Sequence, residues 1–72
     1  MRTVAGAVTL EKNGKYSVDF DSFKTHNGAE YLAMSCTSGA VFDTESEARE
    51  GQARAISILE STGMFPNMCE KF

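Results

Sequence analysis

Apolar and polar residues alternate with a period of two in two stretches near the start of the chain. In the first stretch, the pattern assigns Val4, Val8 and Leu10 to one face and Thr3, Ala5, Ala7 and Thr9 to the other. In the second, it assigns Tyr16, Val18 and Phe20 to one face and Ser17, Asp19 and Asp21 to the other. This period is typical of strands with one buried face, so the pattern predicts two half-buried strands.

The connection between these two strands predicts a hairpin with a three-residue loop. A two-residue turn at Asn13 and Gly14 would set Leu10 opposite Ser17 and would mix apolar and polar side chains on each face. A loop one residue longer sets Leu10 opposite Tyr16, and it lets Gly14 take a left-handed conformation. We therefore expect the longer loop.

Two further strands are predicted after a second Asn-Gly turn at Asn27 and Gly28. The segment "YLAMSC" has Leu32, Met34 and Cys36 alternating with Tyr31, Ala33 and Ser35, which predicts a third strand. A three-residue turn at 37–39 would then bring the short run 40–42 back along it, with Phe42 opposite Met34. This run is the predicted fourth strand.

The stretch "FDTESEAREGQARAISILESTG" predicts one helix with a signal at each end. Thr44 and Glu47 have the spacing of a capping box, so the helix should begin at Glu45. Gly63 favours the left-handed conformation that ends helices, and Pro66 prevents continuation. At 100° per residue, one stripe is expected to face the core: Ala48, Gly51, Gln52, Ala55, Ile58, Leu59 and Thr62.

These elements define an α+β fold in one compact domain over residues 1–72. We expect a four-stranded antiparallel β-meander packed by one C-terminal α-helix, with a short apolar tail, "MFPNMCEKF", folded back over the core. A chain of 72 residues is near the lower limit for a single hydrophobic core without metals or disulfides. Its stability should therefore be modest.

Charge and hydropathy narrow the function classes only slightly. The net charge of −3 is too small for a DNA mimic and has the wrong sign for a general binder of phosphate backbones. No stretch approaches the roughly 18 apolar residues of a membrane span. A cytoplasmic protein that does not contact a membrane is the expectation.

Candidate chemistry is sparse. His26, the single histidine, lies in a turn segment, and Cys36 and Cys69 form no metal-binding spacing with it. Two buried free thiols are the first interpretation, and a disulfide is the alternative. Asp19 and Asp21 fit a solvated strand face. We expect no catalytic residue, no metal and no cofactor, and hence a protein that is not an enzyme.

Two surfaces are candidates for interaction. The main one is the outer face of the sheet, which is short and rather apolar. It is predicted to comprise Ala5, Ala7, Thr9, Tyr31 and Ala33. A secondary surface lies on the helix at Glu50 and Arg54, whose i to i+4 spacing favours an ion pair.

The sequence therefore favours a small non-enzymatic protein–protein interaction module of the bacterial or phage regulator or inhibitor type, which binds a protein partner or self-associates.

A nucleic-acid-binding module is the alternative. It would use basic residues along the hairpin edge, namely Arg2, Lys12, Lys15 and Lys24. The "YSVDF" strand and the "TESEA" helix start, under a fifth of the chain, are similar in outline to three families: HicB antitoxins, arm-type DNA-binding domains of integrases, and the C-terminal part of double-stranded-RNA-binding domains. The resemblance to such proteins implies basic residues at the helix start or on the sheet. This chain instead has acidic residues there, which disfavours the alternative.

Overall fold

Three antiparallel strands and one helix make up the fold. The computed structural model describes all 72 residues. It contains strands β1 (Arg2–Leu10), β2 (Tyr16–His26) and β3 (Ala29–Thr37), followed by helix α1 (Glu45–Thr62). The strand order is β1-β2-β3, and α1 packs on one face of the sheet. The predicted α+β class with an antiparallel meander and one C-terminal helix is thus confirmed, whereas the predicted number of strands is wrong.

The first hairpin has the predicted three-residue loop. Leu10 pairs with Tyr16, and the backbone N–H of Glu11 donates to the Lys15 carbonyl at 2.9 Å. Gly14 has φ of 79°, the left-handed conformation that the loop requires. The Asn13 side chain accepts a hydrogen bond from the Lys15 N–H at 3.0 Å, which closes the loop.

The predicted fourth strand is absent. Phe42 forms a single bridge, with Tyr16 rather than with Met34, and the two residues exchange backbone hydrogen bonds of 2.8 and 3.2 Å. After β3 the chain does not turn back. It continues along β2, where the Ser38 N–H donates to the Val18 carbonyl at 2.8 Å. This path brings Phe42 beneath α1, where its side chain is fully buried, and burial of a large aromatic ring favours this path over an exposed fourth strand.

A β-bulge in β1 reverses part of the predicted face pattern. Val8 pairs with Val18, but Ala5 pairs with Phe20, so β1 holds one extra residue near Gly6. Directly paired residues share a face, and therefore Ala5 lies on the helix side of the sheet together with Phe20. The predicted outward positions of Thr3 and Ala5 are wrong because the extra residue inverts the alternation.

The helix boundaries follow the predicted signals. Thr44 caps α1 by accepting from the Glu47 N–H at 3.0 Å. Gly63 has φ of 78°, and its N–H donates to the Leu59 carbonyl at 2.8 Å. The Glu47 carboxylate accepts from the Asp43 N–H at 3.4 Å, one residue before the position that a capping box would use. No helix of the structure combines the length and the apolar character needed to cross a membrane.

The hydrophobic core lies between α1, the first two strands and the tail. Its fully buried apolar members are Val18, Phe20, Phe42, Ala48 and Ala55. From the tail, Phe65 and Phe72 pack on the Phe20 ring, with centroid separations of 5.2 and 6.3 Å. The tail therefore completes the core, because two of its aromatic rings cover one of the largest buried side chains.

Gly51 allows α1 to lie directly on Phe42. A Cβ atom at this position would lie 2.6 Å from both Cε1 and Cζ of the ring, closer than real contacts allow. The ring is also held by Phe72, whose centroid lies 5.2 Å away in an edge-to-face arrangement. The glycine therefore has a packing role that outweighs its low helix propensity.

We expect Gly51→Ala to destabilise the protein, although alanine is the better helix former. Overpacking costs about 1–3 kcal/mol, against about 1 kcal/mol gained in helix propensity. Urea unfolding should show this loss, and the double variant Gly51→Ala, Phe42→Leu should lose less than the sum of the two single changes. A more stable Gly51→Ala variant would contradict the position of the ring beneath the helix.

Gln52 joins α1 to the bulge in β1. The residue is 2% exposed, and the two N–H groups of its Nε2 are shared among the carbonyls of Gly6, Ala7 and Asp19, at 3.2, 3.4 and 3.0 Å. A bulge interrupts the regular ladder, so its carbonyls need other donors. The side-chain amide of Gln52 on α1 donates hydrogen bonds to these carbonyls.

We expect Gln52→Leu to cost about 1–3 kcal/mol, because it leaves buried carbonyls without a donor. Gln52→Glu should cost more at neutral pH, since a buried carboxylate would face three carbonyl oxygens. Its folded-state pKa would rise above the unfolded value of about 4.3. Urea titrations should therefore show that the Gln52→Glu variant loses stability relative to wild type as the pH rises from mildly acidic to neutral. If Gln52→Glu lowers the free energy of unfolding by the same amount at mildly acidic and at neutral pH, the result would argue against this hydrogen-bond network.

Candidate interaction site on the third strand

β3 is the most exposed element of the sheet. Helix α1 packs on β1 and β2 and leaves β3 uncovered, so eight of the nine residues of β3 are exposed. Of the six exposed large apolar side chains in the chain, three lie here: Tyr31 at 49%, Leu32 at 54% and Met34 at 46% exposure. β3 contains neither lysine nor proline, which natural proteins often place on edge strands to prevent pairing.

A second bulge distributes these side chains over both faces of β3. Met34 pairs with Ser22, whereas Leu32 pairs with the next residue, Phe23, so Ala33 is the extra residue. Alternation along β2 then sets Met34 and Tyr31 on the helix side and Leu32 on the opposite side. Both faces of the strand are therefore apolar near its middle.

The structure does not bring the predicted outer-face residues together. Ala7 and Thr9 follow the bulge in β1, and Thr9 pairs with Ser17 on the face opposite the helix. Ala5 and Tyr31 lie on the helix side, and Ala33 is the bulged residue of β3. The five residues do not form one surface, because each bulge inverts the alternation on which the prediction depended.

The single acidic residue of β3 is paired, and β3 contains no basic residue. Glu30 accepts from two nitrogen atoms of Arg2, with distances of 2.6 and 3.1 Å. The hydrogen bond from Arg2 lowers the pKa of Glu30, and the guanidinium lies 5.0 Å from the centre of the Phe23 ring. The charge on β3 is thus neutralised by its own chain.

On the face of the sheet opposite the helix, the side chains are polar where β2 pairs with the C-terminal end of β3. Asp19 and Asp21 accept hydrogen bonds from the hydroxyls of Thr37 and Ser35, at 2.8 and 2.7 Å. Burial, and then these two carboxylates, raise the pKa of the Cys36 thiol. The two aspartates thus have a structural use in cross-strand pairs.

Neither cysteine is in a disulfide. Cys36 is half-buried on the helix side of β3, opposite Phe20. Cys69 is exposed, contrary to the expectation of two buried thiols. The first interpretation, that both thiols are free, agrees with the structure, whereas the burial expected for Cys69 is wrong.

The helix surface at Glu50 and Arg54 differs from the expectation. Arg54 donates to the backbone oxygen of Phe72 at 2.8 Å and makes no ion pair with Glu50. The ion pair within α1 instead joins Glu45 and Arg49, at 3.3 Å. Arg54 therefore fastens the tail to the helix.

The basic residues of the hairpin edge do not form a continuous groove. Arg2 is bound to Glu30, and Lys15 is bound to Asp43 at 2.7 Å. Lys12 lies in the first hairpin loop, while Lys24 lies toward the other end of β2. His26 is exposed at the second hairpin, where it pairs with Ala29. No group of three or more His, Cys, Asp or Glu side chains has an arrangement that could hold a metal ion.

No protein-family model matches this chain, and no curated protein or solved structure shows significant similarity to it.

An exposed charge cluster connects the tail, the helix start and the first hairpin. Asp43 accepts from Lys15 at 2.7 Å and from Lys71 at 2.8 Å, and Lys71 also reaches Glu47 at 2.7 Å. Hydrogen bonds from Lys15 and then Lys71 lower the pKa of Asp43 to about 2. The cluster is a structural clamp on the tail.

We expect this clamp to make stability depend on pH in the acid range. The Asp43 pKa is lowered from 3.8 to about 2, so its contribution is present above the unfolded pKa and is lost as pH falls toward 2. Asp43→Asn should therefore flatten the acid limb of a plot of melting temperature against pH. Glu60→Gln, at an exposed helix position without an ion pair, is the matched control and should keep the wild-type curve. Identical curves for all three proteins would show that the clamp contributes nothing.

Proposed function

We propose that this chain is a small non-enzymatic protein-interaction module whose docking site is the free edge of β3. One observation carries the proposal: a nine-residue edge strand exposes apolar side chains on both faces, and its only charge is already paired. Such an edge is a template for another strand, because its outward N–H and C=O groups lack partners within the sheet.

Strand addition supplies both affinity and selectivity. The backbone hydrogen bonds of a fourth strand would hold the partner irrespective of its sequence. Met34 and Tyr31 on one side, and Leu32 on the other, would select side chains of the partner. Removing these exposed apolar groups from water adds favourable free energy of about 25 cal/mol per Å².

A regulator or inhibitor is the class of protein that such a module suits. His26 and Cys69 are exposed, Cys36 is half-buried, and Asp19 and Asp21 are engaged in hydrogen bonds between strands. The function of such a module would then be to cover a surface of a partner protein, or to offer a surface to which a partner protein binds. The cytoplasm is the proposed location, and two thiols that are free rather than bridged favour a reducing compartment.

Nucleic-acid binding is not favoured by the arrangement of charges. Of the four basic residues considered for it, Arg2 and Lys15 are each bound to a carboxylate of the same chain. Neutralised cations release few counterions from a phosphate backbone, so they contribute little to such binding.

The test is capture of proteins from an extract of the source organism on three immobilised baits: wild type, Met34→Lys and Leu10→Lys. Leu10 is a matched control because it is an apolar strand residue, 59% exposed, outside β3. We expect bound protein on wild type and on Leu10→Lys and its loss on Met34→Lys. Circular dichroism melting should show that both variants remain folded. Equal capture by all three baits would contradict a docking site on β3.

A further inference from the structure

We infer that the occupant of the β3 edge is a second copy of this chain. Two copies would pair through their β3 strands in an antiparallel arrangement about a two-fold axis. The result is one six-stranded sheet in the order β1-β2-β3-β3-β2-β1. This inference rests on the proposed function, because it requires β3 to be the docking strand, and it adds the identity of the partner.

The bulge at Ala33 decides in which register β3 can pair with a second copy of itself. If Met34 of one copy lies opposite Tyr31 of the other, both side chains are on the helix side. In the same register Cys36 faces Ala29, again on the helix side. In this register, residues on the helix side of one copy lie opposite residues on the helix side of the other copy, both before and after the bulge. The pairing continues past the bulge because both copies carry the extra residue at the same place. This is the self-complementarity that a two-fold interface needs.

The charges permit this pairing despite the net charge of −3. Glu30 is the only acidic or basic residue of β3, and Arg2 of the same chain neutralises it. In the proposed register Glu30 faces Ser35 of the second copy, on the side of the sheet opposite the helix. Two carboxylates are therefore not brought together across the interface, and like-charge repulsion between directly opposed residues is avoided.

The position of the helix also favours a second copy. Because α1 covers β1 and β2, the two helices of the dimer would flank a trough above the paired β3 strands. Tyr31 and Met34 of both copies would fill its floor, where thioether–aromatic contacts are favourable. A core with only five fully buried apolar residues gains much from this additional burial.

The other free edge, β1, is a poorer candidate. Helix α1 packs against part of its helix side, and the carbonyls at its bulge already accept hydrogen bonds from Gln52. Leu10 is its only exposed large apolar side chain. Self-pairing through β1 would therefore bury less apolar surface than pairing through β3.

Sedimentation equilibrium of the full chain tests this inference, from micromolar to sub-millimolar concentration. We expect wild type and Leu10→Lys to reach twice the chain mass of 7.8 kDa. Met34→Lys should stay at the single-chain mass, because a lysine would lie against Tyr31 of the second copy. A wild-type protein that stays at the single-chain mass, or a Met34→Lys variant that dimerises equally well, would overturn the inference. If wild type is monomeric and capture from the extract still depends on Met34, the proposed function stands and only the second copy is wrong.

Disulfide cross-linking provides a second readout that depends on the register. In a background with Cys36→Ala and Cys69→Ser, a Tyr31→Cys protein is mixed with a Met34→Cys protein and oxidised mildly. Directly opposed residues have Cβ atoms about 4.5–5.5 Å apart, close to what a disulfide needs. We expect the mixture to give linked dimers and each protein alone to give few. Equal linking of either protein alone would overturn the register.

Discussion

The Phe42 ring beneath α1 is the contact on which the other parts of the fold converge. It is fully buried, it lies against the one helical position without a side chain, Gly51, and it touches the tail through Phe72. Its backbone also bridges to Tyr16 at the start of β2. Because one residue joins the sheet, the helix and the tail, the chain after β3 must pass beneath α1. It is therefore not available to form a fourth strand along the outer edge.

The hydrogen bonds of Gln52 are the second constraint, and they act on β1. The buried amide binds three carbonyls around the bulge, which stabilises an extra residue that the ladder alone would leave unpaired. The bulge in turn decides which side chains of the first half of β1 face the helix. A polar residue on the apolar stripe of α1 thus sets the face pattern of a strand that is distant in sequence.

The exposure of β3 follows from these two constraints. Helix and tail are held over Phe20 and Phe42, and the helix does not reach the third strand. Tyr31, Leu32 and Met34 are consequently left in water, although residues of this kind are normally covered. The Arg2–Glu30 pair removes the one charge that would discourage another strand from joining. The exposed edge that we propose as the docking site thus results from how the core closes on one side of the sheet.

Local signals in the sequence determined the elements of this protein. The Asn13-Gly14 loop, the Thr44 cap and the Gly63 end depend on backbone geometry within a few residues, so the first hairpin and the helix were predicted correctly. The two bulges, the path to Phe42 and the uncovered β3 were decided only by tertiary structure. Each depends on contacts between residues far apart in the chain, such as Gln52 with Gly6 and Gly51 with Phe42. A single extra residue in a strand inverts its faces without changing its period-two pattern elsewhere, and for this physical reason the predicted interaction surface was divided between two sides of the sheet.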